Sequence, residues 1–117
     1  MENKDYQVLN KIYHHIDSIL NYCEDCETLS EFQQNDMRVE SCVFNMLQIG
    51  ELAKAALSDE AKNQISTIPW KQIYGMRNRI VHGYEGVEMK VVWTTIREDL
   101  PLLKAELYRN LNEKNCV

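Results

Sequence analysis

Two guanidiniums, an imidazole and a phenol fall within one short stretch of this chain, Arg77-Asn78-Arg79-Ile80-Val81-His82-Gly83-Tyr84. Imidazole moves a proton near neutral pH. Guanidinium holds a phosphate in a forked, two-point grip. Together they are the parts for cleaving a phosphodiester without a metal. The remaining histidines, His14 and His15, lie far upstream, so His82 alone stands beside fixed positive charge.

Helical spacing constrains how these groups can meet. Asn78 and His82 are four apart and share a face. Arg77 and His82 are five apart, about 140° around the axis at 3.6 residues per turn. Their convergence requires the long reach of Arg77, unwinding near Gly83, or a second copy of the chain related by a two-fold axis. With convergence, His82 can deprotonate the 2′-hydroxyl of an RNA nucleotide. The 2′-oxygen then attacks the adjacent phosphorus and leaves a 2′,3′-cyclic end. Arg77 stabilises the charge building on the phosphoryl oxygens. Asn78 orients His82 or a phosphate, and Arg79 either grips substrate or lies on a solvated surface. DNA lacks the nucleophile and is spared.

The elements that must carry this stretch read as helices. Tyr6, Leu9, Tyr13, Ile16, Leu20 and Cys23 recur every three or four residues and predict a first helix over 5–23. Thr28-Leu29-Ser30-Glu31 is a capping box opening a short piece. Asn35 or Asp36 caps a long helix to about residue 57, with Gly50 inside it at a cost of about 1 kcal/mol relative to Ala. Such a glycine permits close approach of another backbone. Residues 58–68 form a connector with at most one short turn. Pro69 starts the next helix, which carries the Arg-to-His stretch and stops at Gly83 in a left-handed conformation. A last helix over 87–111 is kinked by Pro101. Five helical pieces with short links predict an antiparallel bundle.

Composition narrows the class. One domain over residues 1–117 is expected from the length, and the scarcity of glycine and proline disfavours a many-turned β fold. No apolar run approaches the roughly 20 residues of a membrane span, and the N-terminus lacks the order of a signal peptide, so a cytoplasmic protein is expected. A net charge of −5 argues against general nucleic-acid affinity. Yet the formal charges between residues 61 and 84, at Lys62, Lys71, Arg77 and Arg79, are all positive. One small basic patch suits a site that grips one or two phosphates. Cys23-Glu24-Asp25-Cys26 is a single C-x2-C without a second ligand pair. Free thiols, or else a redox pair at a helix end, fit it better than zinc. The histidine doublet reads as one core-facing ring and one solvated ring, and Trp70 and Trp93 as core or interface anchors.

The Arg77-Asn78-Arg79-Ile80-Val81-His82 pattern resembles the HEPN domain, and Tyr84 two places on resembles the HepT-like toxin family. The likeness extends to Ile49-Gly50-Glu51-Leu52-Ala53, to Trp70 with Ile73-Tyr74-Gly75-Met76, and to Val92-Trp93 and Leu100-Pro101. It implies an all-α HEPN-type antiparallel bundle of four to five helices, homodimeric. It further implies a metal-independent endoribonuclease without cofactor, the toxin of a toxin–antitoxin pair. The catalytic residues would be Arg77 and His82, with Asn78 and Arg79 on the substrate. The implied antitoxin is a small MntA-type nucleotidyltransferase that transfers AMP to Tyr84, adding bulk and negative charge beside His82 and Arg77. Glu51 reads as structural, pairing with a motif arginine. The alternative is a non-catalytic subunit that presents a nucleotide or substrate to a partner nucleotidyltransferase. Blander still is a purely structural helical dimer.

Overall fold

Every regular element of the computed structural model is helical among the described residues, which are 1–83 and 87–115, with side chains described to residue 112. The chain runs through α1 (Asn3–Tyr22), α2 (Leu29–Gln33), α3 (Asp36–Glu51), α4 (Asp59–Gln64), α5 (Trp70–Gly83), α6 (Met89–Thr94) and α7 (Leu100–Asn115). Two wider π-helical turns, Leu52–Ala56 and Thr95–Asp99, extend α3 and join α6 to α7. The expected all-α bundle is the observed architecture.

The caps follow from the residues that precede each helix. Thr28 Oγ1 accepts from the Glu31 amide at 3.2 Å, and the Glu31 carboxylate returns to Thr28 Oγ1 and to the Glu27 amide. Asn35 Oδ1 accepts from the Arg38 amide at 3.1 Å and opens α3. Ser58 Oγ accepts from the Ala61 amide and opens α4. Ser58 is in turn held by the buried Asp5 carboxylate, which accepts from the Ser58 amide at 3.0 Å and from its hydroxyl at 2.7 Å. A carboxylate at the base of α1 thus fixes where α4 begins.

α1 is the central stave. It packs against α3 on one side and α7 on the other, and α3 carries α5 on its far flank. Leu9, Ile12, Ile16 and Ile19 of α1 are buried against Cys42, Val43, Met46 and Ile49 of α3 and Val92, Ile96, Leu103 and Leu107 of the C-terminal helices. The tyrosines of the expected first-helix stripe flank this core, and Val8, Ile12 and Ile19 fill it. Phe32 is fully buried and stacks on Trp93 with centroids 5.3 Å apart, so Trp93 is a core anchor. His15 Nδ1 lies 2.8 Å from Asn45 Oδ1 while His14 is exposed, as the doublet suggests.

Three boundaries depart from the sequence reading. The long middle helix is α-helical only to Glu51, and the expected stretch to residue 57 ends in the π-helical turn, closed by a Leu57 N–H to Leu52 C=O bond of 3.1 Å. The last helix stays helical from Met89 to Asn115 but widens into a π-helical turn at Thr95–Asp99. Pro101 explains this one: it lacks the N–H that would bond the Arg97 carbonyl, and its ring crowds that carbonyl. The turn ahead of it widens instead. Finally, Gly83 is the last residue of α5, but no described glycine takes a positive φ, so no left-handed cap forms there.

Candidate active site

α5 is attached at its start and along one flank. The Pro69 carbonyl accepts from the Gln72 and Ile73 amides, so proline stands just ahead of the first turn. Trp70 Nε1 donates to the carbonyls of Lys62 and Ile65, tying α5 to the end of α4. Among the residues of α5, Ile80 is the fully buried one, and Ile73, Tyr74 and Met76 are half-buried against the core. The helix therefore leaves a broad side open.

Arg77 is the best-positioned member of the motif. A side chain on Gly50 of α3 would place its Cβ 2.8 Å from Arg77 Cγ and closer still to Arg77 Cβ. The glycine lets α5 lie against α3 with the arginine between them, the close approach expected at Gly50. The Arg77 side chain is 19% exposed and its Nε donates to Glu51 Oε1 at 2.6 Å. Its NH1 donates to Asn78 Oδ1 at 2.9 Å. The carboxylate thus holds the side of the guanidinium and the neighbouring amide holds one end of the fork. Glu51 pairs with a motif arginine as the sequence suggests. Asn78 engages Arg77 here, not His82.

The other motif residues face elsewhere. His82 is exposed on the last turn of α5, about 140° around the axis from Arg77. Arg79 is exposed and lines a cleft of about 770 Å³ between α5 and α7, with Met76, Asp99, Leu102 and Leu103 among its other walls. Glu51, Arg77 and Asn78 are brought together, whereas Arg79 lines the cleft and His82, one turn beyond Asn78 on the same face, is set about 140° around the helix from Arg77. Tyr84 lies outside the described residues.

The basic patch is narrower than the charge map suggests. Lys62 lies 3.9 Å from Asp59 and 5.2 Å from the centre of the Tyr74 ring, and so serves α4 and the start of α5. Arg77 is compensated by Glu51. The cations exposed along α5 are Lys71 and Arg79.

The cysteine reading is also redrawn. Cys23 meets Cys42 of α3, with the two sulfurs 3.6 Å apart, rather than Cys26. Cys23, Cys26 and Cys42 are all free and buried. The hydrogen bond with Cys23, and then burial, push the Cys42 thiol up, and burial raises Cys26. Such thiols are poor nucleophiles. Cys42 was traceable in sequence, one residue from Val43 on the inward face of α3. Among the described residues no cluster of His, Cys, Asp or Glu has the geometry of a metal site.

Comparison with known proteins gives the family. The model of the HepT-like ribonuclease family matches residues 12–109. The chain belongs to that family. A probable ribonuclease HepT of Thermococcus cleftensis is 29% identical over 79% of this chain and 91% of its own. A protein of Methanocaldococcus jannaschii carrying an RNase name is 32% identical over 91% of this chain and 92% of its own. Another, from Caldanaerobacter subterraneus subsp. tengcongensis, is 30% identical over 78% and 88%. No solved structure gives a significant match. No described helix is long and apolar enough to cross a membrane.

Proposed function

We propose that this protein is a metal-independent endoribonuclease, a single HEPN-type domain over residues 1–117 that acts as a homodimer and as the toxin of a toxin–antitoxin pair. His82 removes the 2′-hydroxyl proton. The 2′-oxygen forms a bond to the adjacent phosphorus as the bond to the 5′-oxygen breaks. The leaving oxygen takes a proton from water, and the products are a 2′,3′-cyclic phosphate and a 5′-hydroxyl. Arg77 stabilises the negative charge on the phosphoryl oxygens, while Asn78 and Arg79 bind the phosphate backbone. The antitoxin is a small nucleotidyltransferase of the MntA type: the Tyr84 oxygen bonds to the α-phosphorus of ATP as the bond to the β-phosphate breaks, pyrophosphate leaves and the phenol proton passes to solvent. The added phosphate competes with RNA for the same arginines.

The single observation that supports this reading best is the Arg77 clamp. A guanidinium set between two helices, with its side bonded by Glu51 at 2.6 Å and one end by Asn78, is pre-oriented for a phosphoryl group. A surface arginine that merely solubilised the helix end would have no use for the glycine that admits it.

The separation of Arg77 from His82 also keeps a second reading in play, in which the chain is a non-catalytic subunit that presents a nucleotide to a nucleotidyltransferase. RNA cleavage by the purified protein separates the two. The expected result is cleavage with cyclic phosphate ends, no cleavage at a 2′-deoxy position, and a loss of about 10²–10⁴-fold in His82→Ala. Cleavage that survives His82→Ala unchanged removes histidine from the mechanism. Absence of cleavage by the parent favours the binding subunit. Mass spectrometry after co-expression with the antitoxin is expected to find AMP on Tyr84, and an unmodified Tyr84 in a neutralised toxin refutes that part alone.

A further inference from the structure

Three buried thiols gather where α1 ends. Cys23 closes α1, Cys26 follows in the turn to α2, and Cys42 lies on the inward face of α3. None of them takes part in the proposed site on α5. The sulfurs of Cys23 and Cys42 are 3.6 Å apart and share a hydrogen bond. A disulfide bond is about 2.05 Å long, so the two sulfurs need to close by only about 1.5 Å. A buried cysteine usually packs as a small apolar residue. Packing alone gives no reason for two thiols to meet across the α1–α3 crossing.

The surroundings prepare one of the two sulfurs for chemistry. Arg38 reaches across the end of α1. Its Nε donates to the Tyr22 carbonyl at 2.9 Å, one terminal nitrogen to the Glu31 carbonyl at 3.3 Å and the other to Asp25 at 3.1 Å. Arg97 donates to the Cys26 carbonyl at 3.3 Å. Two guanidiniums thus bracket the turn that covers the sulfurs. The hydrogen bond from Cys42 lowers the Cys23 thiol against the opposing effect of burial, and Arg38 adds to the lowering while Asp25 opposes it. Cys23 is therefore the nucleophile of the pair, and Cys42 holds its proton chiefly because it donates to Cys23.

The cover over Cys23 is thin. Glu24, Asp25 and Glu27 of the turn are exposed. The Arg38–Asp25 ion pair that latches the turn has its carboxylate side 77% exposed, and such a pair holds weakly in water. Local opening of this turn admits a small oxidant while α1 and α3 stay folded.

We propose that Cys23 and Cys42 are an oxidation site, converted by a hydroperoxide such as hydrogen peroxide into a disulfide that ties the end of α1 to α3. Cys23 gives its proton to solvent, and its sulfur bonds to one peroxide oxygen as the O–O bond breaks. The departing hydroxide takes up a proton and leaves as water, and Cys23 is then a sulfenic acid. The Cys42 sulfur bonds to the Cys23 sulfur as the S–O bond breaks, and the oxygen leaves as a second water with the Cys42 proton. Two thiols are oxidised and one peroxide is reduced. The first step also removes the thiolate that kept the Cys42 proton in place, so it prepares the second. The closed loop, residues 23–42, carries the whole of α2, whose Phe32 stacks on Trp93. Oxidation therefore fastens α2 and the α1–α3 corner together, and it does not depend on the ribonuclease reading.

The test treats the purified full chain with hydrogen peroxide and reads mass and stability, without RNA. The intact mass is expected to fall by two hydrogens. Non-reducing peptide mapping is expected to join the Cys23 and Cys42 peptides and separates this link from any that involves Cys116. The unfolding midpoint is expected to rise by about 10 °C and to return on reduction with dithiothreitol. In Cys42→Ala the rise is expected to vanish and dimedone to label Cys23, while Cys26→Ser is expected to behave as the parent. Cys42→Val serves if Cys42→Ala fails to fold. A Cys23–Cys26 link in the parent overturns the pairing. So do thiols that stay reduced at peroxide concentrations that oxidise free cysteine, and so does a midpoint that rises equally in the parent and in the Cys42 variant.

Discussion

Substituting Gly50 by alanine sets two effects of opposite sign against each other. Alanine in the interior of α3 adds about 1 kcal/mol of helix stability. The same methyl group would stand 2.8 Å from Arg77 Cγ and 3.4 Å from Arg77 Cα, where carbon atoms at rest lie about 3.5–4.0 Å apart. Relief requires α3 and α5 to separate by roughly 1 Å or Arg77 to leave its rotamer. Overpacking of this kind costs about 1–3 kcal/mol, so set against the gain from alanine a net loss of about 0–2 kcal/mol is expected. For a domain of this size that is a drop of up to about 10 °C in Tm, readable by thermal or chemical denaturation. The kinetic effect is expected to be larger than the thermodynamic one. With Arg77 in the proposed role, moving its guanidinium by about 1 Å is expected to cost about 10²-fold in rate. The assay is therefore paired: Tm by circular dichroism and initial rate of RNA cleavage at saturating substrate. A Gly50→Ala protein that is more stable than the parent and cleaves RNA equally fast refutes the reasoning, because the glycine would then not be what admits Arg77.

Three further outcomes are expected. Glu51→Ala frees the side of the Arg77 fork and is expected to lower kcat by about 10–100-fold with little change in KM, while Glu51→Gln, which keeps an oxygen for Nε, recovers much of it; equal rates in all three proteins sink the clamp. The Asp5 carboxyl is held below its ordinary value chiefly by the Ser58 amide. A lowered folded-state pKa gives stability that is present above the unfolded value, near pH 3.8, and is lost as pH falls through the folded one. Asp5→Asn is thus expected to be less stable at pH 7 by about 1–3 kcal/mol, and the gap to the parent is expected to narrow in urea titrations as the pH falls below 3.8. Thr28→Ala removes the acceptor for the Glu31 amide and is expected to cost about 1 kcal/mol; an unchanged unfolding midpoint means α2 is held by Phe32 alone.

What could be read from the sequence had short-range causes. The capping box at Thr28 and Glu31 and the asparagine cap at Asn35 are three-residue patterns, and each forms as written. The helical period gives the staves because one face of each must be buried. Gly50 could be recognised as a contact point because a helix-interior glycine is costly unless something uses the space. What could not be read depends on partners distant in sequence. Cys23 has Cys26 three residues away in sequence, but its neighbour in space is Cys42, because the α1–α3 crossing brings them together. The amide of Asn78 could turn to several groups, and in the fold its oxygen accepts from Arg77, whose Nε donates to Glu51 on a helix distant in sequence. The π-helical turns are invisible to a 3.6-residue period, although Pro101 gives a local reason for one of them. The family resemblance supplied most of the functional reading. The bundle itself does not distinguish a nuclease from any other small helical protein.

The π-helical turn after Glu51 carries a consequence for motion. Hydrogen bonds spanning five residues, such as Leu57 N–H to Leu52 C=O, close a wider and weaker loop than ordinary helical bonds. Amide protons over residues 52–57 are expected to exchange with solvent ahead of those in the first turns of α3, through local opening rather than global unfolding. Glu51 is the last residue before that turn. Opening there is expected to loosen the carboxylate that holds Arg77 without unfolding α1, α7 or the first turns of α3. If Arg77 grips the phosphate as proposed, faster exchange over residues 52–57 is expected to accompany a looser Glu51–Arg77 pair.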